Sequence, residues 1–131
     1  MKKGIKYIKD VPIELLIPHE ATERTTVQYW NTMYKNKSFI PAVAVSDHNM
    51  IIDGHHRVEM CQQNGIKIIN VCQIDYLDSN LILKGNFIKT DILKYVNDGK
   101  LFNSKTTQHF FKEEGILKEL FEYQKKYSLL S

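Results

Sequence analysis

The sequence predicts a small α+β domain built on a mixed sheet and carrying helices toward its C-terminal end. Three observations predict it. Apolar runs rich in β-branched residues ("PAVAVS", "MIID", "IKIINVCQIDY") are interspersed with helical patterns, without the regular strand–helix–strand alternation of a parallel sheet. A chain of 131 residues is most simply one domain with one core. Its composition, 43% hydrophobic and 25% charged, is that of an ordinary globular protein. Residues 1–131 are therefore read as a single domain, with a core over about 5–88 and a helical part over about 89–131.

In chain order, "IKYIK" at 5–9 alternates like a short strand, and "VPIELLIPHE" follows as a short element ended by Pro18. Residues 22–37 place Val27, Trp30, Met33 and Tyr34 at helical spacing, with Thr22 as N-cap; these aromatics read as core. "PAVAVS" at 41–46 and "MIID" at 50–53 are strands joined by the turn "DHN", a hairpin pattern. A helix runs from His55 to Asn64, with Val58 and Cys61 inward and Gly65 closing it. "IKIINVCQIDY" is the most strand-like run, and "LILKGNFI" adds another strand. "KTDILKYVNDG" is a compact helix beginning at Lys89 or Thr90 and ending at Gly99. The tail "QHFFKEEGILKELFEYQKKYSLL" reads as helix broken near Gly115.

Charge and cysteine content narrow the function classes. Eighteen Lys and Arg against fifteen Asp and Glu leave +3, too weak a bias to indicate nucleic acid. Lys2–Lys3 and Lys125–Lys126 read as solvated surface. Cys61 and Cys72 form no CxxC pair and read as reduced, buried thiols. The start "MKKGIKYIKDVPIELLIP" is too interrupted by charge for a signal peptide, and no run approaches the roughly 18 apolar residues of a membrane span. A cytoplasmic location is the expectation.

The stretch "MIIDGHHRVEMCQQNG" (50–65) concentrates chemistry at a strand-to-helix corner. A helix start offers free N–H groups and partial positive charge. Gly54 would let a ligand approach the backbone, Arg57 could fork onto a phosphate, and His55 and His56 could add donors. Asp53 beside such an anion cradle implies a metal ion, or a hydroxyl to be held or deprotonated. The plainer alternative has Asp53 capping the helix and Arg57 paired with Glu59 or Glu23. A zinc site is disfavoured, because His55 and His56 diverge on a helix and no HxxxH accompanies them; there is also no P-loop pattern. Glu20 in "IPHE" and the polar cluster "NSKTTQH" (103–109) are weaker candidates taken alone.

Together and in this order the pieces resemble a known family. "DGHHR" after a strand resembles the signature of the ParB/sulfiredoxin fold, whose members bind nucleotide phosphates at this helix start. "IPHE", "DGHHR" and the segment from "KTDILKYVNDGK" to "KTTQH" resemble more narrowly the free L-serine kinases of that superfamily, over most of residues 8–110. The resemblance implies phosphorylation of free serine to O-phosphoserine, with Mg²⁺ and with ADP or ATP as donor. It implies Glu20 as general base, Asp53 as the second acidic residue, facing the metal, and Gly54, His55, His56 and Arg57 as the phosphate corner. Lys105, Thr107 and His109 would hold serine and its phosphate. Two departures fall in that last segment: Gln108 stands where the family usually has arginine, and Asn103–Ser104 replace a common Pro-Pro.

The expected partners are small molecules, L-serine and a nucleotide, with neither membrane nor nucleic acid expected and no oligomeric state implied. Two rivals remain. A ParB-like, nucleotide-dependent DNA-binding module would expect a helix-turn-helix after the corner domain and a stronger basic bias. A nucleotide or serine sensor would keep the pocket without turnover. The sulfiredoxin branch needs a cysteine in the corner, where this chain has His55.

Overall fold

A computed structural model of the protein describes residues 4–131, so the Lys2–Lys3 pair lies outside the described residues. Strand β1 (Ile5–Pro12) leads through a 3-10 turn (Ile13–Leu15) to helix α1 (Arg24–Lys35). The hairpin β2 (Val43–Ser46) and β3 (Ile51–Asp53) feeds helix α2 (His55–Gln63), followed by β4 (Ile68–Ile74) and β5 (Leu81–Lys84). Helix α3 (Lys89–Asn97), strands β6 (Gln108–Glu113) and β7 (Ile116–Glu119), and the single turn α4 (Phe121–Gln124) complete the chain. Among the described residues, no helix is long and apolar enough to cross a membrane.

The first sheet has the order β1-β4-β2-β3, antiparallel except where β2 runs parallel to β4. The period-2 alternation of side chains sorts its residues into two cores. Ala42, Ala44, Ile52, Cys72 and Ile74 face one cluster, completed by Leu81, Ile92, Phe102 and Phe111. Val43, Val45, Ile51, Ile69 and Val71 face the other, completed by Val27, Val58, Met60 and Cys61. A sheet covered on both faces explains why its central strands read as near-continuous apolar runs. Both cysteines are free and buried, and burial pushes their thiols up, Cys61 to about 12 and Cys72 to about 11.

Two local expectations are corrected. The N-cap of α1 is Glu23, and Thr22 instead donates its hydroxyl to Glu59 Oε2 at 2.9 Å, tying the loop to α2. The tail is not a broken helix. Residues 108–119 form a β-hairpin, and β6 pairs with β5 in a second, antiparallel sheet of order β5-β6-β7. Glu114 and Gly115 both take positive φ (52° and 78°), as a two-residue hairpin turn requires. "FFKEEGILKE" satisfies helical and strand patterns about equally; pairing of Phe111 with Leu81, far away in sequence, decides for strand.

Candidate active site

The corner is built by close packing. Gly54 sits at φ 112° between β3 and α2. A Cβ there would lie 2.5 Å from Val43 Cγ1 and 2.9 Å from Val43 Cβ. The glycine is therefore required by the approach of α2 to β2.

Arg57 turns inward. It is 3% exposed, its Nη1 donates to Pro41 O and Ala42 O at 2.9 Å each, and its Nη2 lies 3.5 Å from Asp53 Oδ2. The guanidinium also stacks near Trp30 and Phe121, 5.3 and 5.6 Å from the ring centroids. Nη1 is committed to two carbonyls and Nη2 faces Asp53, so the guanidinium braces the corner from inside. The helical turn of about 100° per residue puts Arg57 on the face that packs on the sheet.

The two histidines fasten a loop. His55 is buried, and its Nε2 accepts the backbone N–H of His19 (3.1 Å) and of Glu20 (3.3 Å). Burial, with the neighbouring His19, His56 and His109, lowers its pKa to about 2, so the ring is neutral and able to accept. His56 Nε2 accepts the N–H of Glu23 at 3.0 Å and lies 3.2 Å from Ser104 Oγ. Burial and the nearby Lys105 charge lower its pKa too. Both imidazoles thus spend Nε2 on residues 19–23. With Nε2 accepting, each ring carries its hydrogen on Nδ1; these N–H groups and the first-turn N–H groups of α2, whose first intrahelical bond is Val58 N to Gly54 O, are donors of this corner that could meet an anion.

The loop so held carries Glu20, which is 7% exposed. Residues 19–21 pair with Phe102, through Phe102 N to His19 O and Ala21 N to Phe102 O, both 2.8 Å. That pairing brings in the 103–109 segment. Lys105 N donates to Glu20 Oε1 at 2.9 Å, Thr107 N donates to Oε2 at 2.9 Å, and the Thr107 hydroxyl also contacts Oε2. Beside Glu20, a cleft of about 380 Å³ is walled by Leu16, Pro18, His55, Val58 and Leu101.

Asp53 does not line this cleft. Half-exposed, it lines a smaller cavity of about 170 Å³ together with Thr107, Gln108 and His109. Thr107 is thus common to both carboxylates, bonded to Glu20 and lining the cavity of Asp53. His109 turns inward, its Nε2 2.8 Å from the Tyr76 hydroxyl, and burial lowers its pKa to about 3. Lys105, exposed, has its Nζ 3.1 Å from Thr26 Oγ1 and 3.9 Å from Glu23 Oε2.

His19 was not singled out in the sequence, and its signal there is only adjacency to Glu20. It is 0% exposed, with Nδ1 2.6 Å from Ile51 O and Nε2 2.8 Å from Thr107 Oγ1. Among the described residues no group of three or more His, Cys, Asp or Glu is arranged to hold a metal. A lone half-exposed carboxylate such as Asp53 suits an ion that brings its other oxygen ligands on a nucleotide.

No family model matches the sequence, and no curated protein matches it; solved structures match by fold. The chain is similar to a conserved hypothetical protein from Pyrococcus furiosus, with TM-score 0.71 and 13% identity over 95% of this chain and 98% of that one. It is equally similar to a glutamate-to-glutamine variant of a free serine kinase in complex with AMP, with TM-score 0.71 and 12% identity over 93% and 95%. C-terminally truncated SbnI from Staphylococcus aureus matches with TM-score 0.51 and 23% identity over 63% of this chain and 34% of that one. The protein therefore shares the small α+β fold of these structures. The Pyrococcus furiosus protein and the free serine kinase both align over nearly the full length of both chains.

Proposed function

We propose that this chain transfers a phosphoryl group from an adenine nucleotide to the hydroxyl of free L-serine. The observation that carries the reading is the Glu20 carboxylate, held by the N–H groups of Lys105 and Thr107 at a cleft beside the start of α2. Phosphoryl transfer asks little covalent chemistry of a protein; it asks for in-line positioning, neutralised charge and a base at the acceptor. Glu20 is the base. It removes the proton from the serine hydroxyl as that oxygen bonds to the donor's terminal phosphorus. The bond from that phosphorus to its bridging oxygen breaks, and the electron pair leaves with AMP if ADP is the donor, or with ADP if ATP is.

The first-turn N–H groups of α2 bind the donor's phosphates, helped by the exposed cation of Lys105. Arg57 keeps that helix start in place from behind. Asp53 would hold Mg²⁺ carried on the nucleotide, which supplies further neutralisation of phosphate charge when bound. Thr107 and His109, beside Asp53, form the serine side of the site. Fold neighbours bound to AMP and to ADP support an adenine nucleotide as the ligand.

The test is incubation of the purified protein with L-serine, Mg²⁺ and either ADP or ATP, read by phosphorus NMR. Phosphoserine and an equal amount of AMP or ADP are expected with one of the donors. Nucleotide binding without phosphoserine from either donor would favour a sensor, the reading that Gln108 keeps open by standing at the Asp53 cavity in place of the family's usual arginine.

A further inference from the structure

Behind Glu20 runs a hydrogen-bonded line that the reading above leaves unused: Ile51 O, His19, Thr107 Oγ1, Glu20 Oε2. Its proton count limits what it can do. The Ile51 carbonyl only accepts, so His19 Nδ1 carries a hydrogen and donates it. The Thr107 hydroxyl has one hydrogen and faces two acceptors, Nε2 of a neutral His19 and Oε2 of an ionised Glu20. It can satisfy only one of them. One additional proton satisfies both, in either of two ways. A Glu20 carboxyl can donate to Thr107 while Thr107 donates to His19, or a His19 imidazolium can donate to Thr107 while Thr107 donates to the carboxylate.

We infer that His19 and Thr107 form a proton relay behind Glu20, which receives the proton removed from the acceptor hydroxyl. This rests on the kinase reading. The step balances without any further reactant. The proton on Glu20 Oε2 moves to Thr107 Oγ1 as the hydroxyl's own proton moves to His19 Nε2, the carboxylate is regenerated and His19 becomes imidazolium. The reverse shift returns the proton when product leaves. His19 touches no substrate in this scheme; it is a positioning residue that acts through Glu20.

The surroundings suit a His19 ring that is neutral at rest. His19 packs edge-on to the rings of His55, His109 and Phe102, with centroids 4.6, 5.8 and 6.4 Å away. Burial lowers its pKa, while the Ile51 carbonyl and the charges of Glu20 and Asp53 oppose that. Imidazolium is therefore disfavoured except in partnership with the carboxylate, whose Oε2 lies 4.0 Å from Nε2.

The experiment follows the ring nitrogens of His19 by ¹⁵N NMR across pH in the wild type, Thr107→Val, Thr107→Ser and Glu20→Gln, alongside serine phosphorylation. In the wild type, Nε2 gains its proton on acidification with Nδ1 protonated throughout. Thr107→Val and Glu20→Gln each displace that transition, and Thr107→Ser restores it. Thr107→Val also lowers kcat by up to about 100-fold with the nucleotide KM unchanged, and Thr107→Ser recovers most of it. Should Thr107→Val fail to fold, Glu20→Gln carries the NMR comparison alone. An identical His19 transition in all folded variants, with phosphoserine still formed by the wild type, overturns the relay alone. Absence of phosphoserine from the wild type overturns the relay together with the kinase reading.

Discussion

Thr107 donates its backbone N–H to Glu20 Oε2 at 2.9 Å, joining residues 87 positions apart. With Lys105 N on the other oxygen and the Thr107 hydroxyl also on Oε2, the carboxylate is oriented by two main-chain donors and one short side chain. In the proposed reaction, a base fixed in this way would need little reorganisation.

Glu20→Gln tests that role. Loss of basicity should lower turnover by about 10²- to 10⁴-fold while nucleotide still binds. The amide cannot accept from both Lys105 N and Thr107 N, so a stability loss of about 1–3 kcal/mol should accompany it, measurable by urea unfolding. Asp53→Asn should instead shift the magnesium dependence of the rate. Near-normal turnover in Glu20→Gln would move the base to Asp53.

Arg57→Ala should act on stability before affinity. It removes the donor to Pro41 O and Ala42 O and the packing on Trp30, a loss of about 2–4 kcal/mol. Folded variant should keep its nucleotide affinity by calorimetry. A large fall in affinity at unchanged stability would restore Arg57 to the phosphates.

Gly54→Ala should destabilise the fold by roughly 2–5 kcal/mol, combining the cost of a positive φ with overpacking against Val43. Adding Val43→Ala should relieve the overpacking part and leave the backbone part. A Gly54→Ala protein as stable as wild type would show that α2 can shift away from β2.

Acid should weaken the protein through its buried imidazoles. Burial holds His55 at about 2 and His109 at about 3, whereas in the unfolded chain both return to about 6.5. Below about 6.5 the unfolded chain binds more protons than the folded one. Stability is therefore complete above that pH and falls as pH drops toward 3, by up to about 1.4 kcal/mol per unit for each histidine. Urea midpoints measured between pH 7.5 and 4.5 should decline accordingly; a flat series would mean the rings are not held neutral.

Strands β1 to β5, the strand-to-helix corner and helices α2 and α3 were legible because each rests on a local pattern: β-branched runs, a turn glycine, a glycine-closed helical stretch. The candidates Glu20, the corner and residues 105–109 were singled out as residue types in order, through their resemblance to serine kinases. Which way those side chains point was not. Arg57 and His56 are neighbours of similar polarity, yet α2 turns one onto Pro41 and Ala42 and the other toward Ser104. The tail became a hairpin because Phe111 meets Leu81, and His19 joined the site because Ile51 and Thr107 close around it. Each of these was decided by contacts between segments distant in sequence. A helical face or a strand register acquires its meaning only from the surface it packs against, and no local pattern contains that surface.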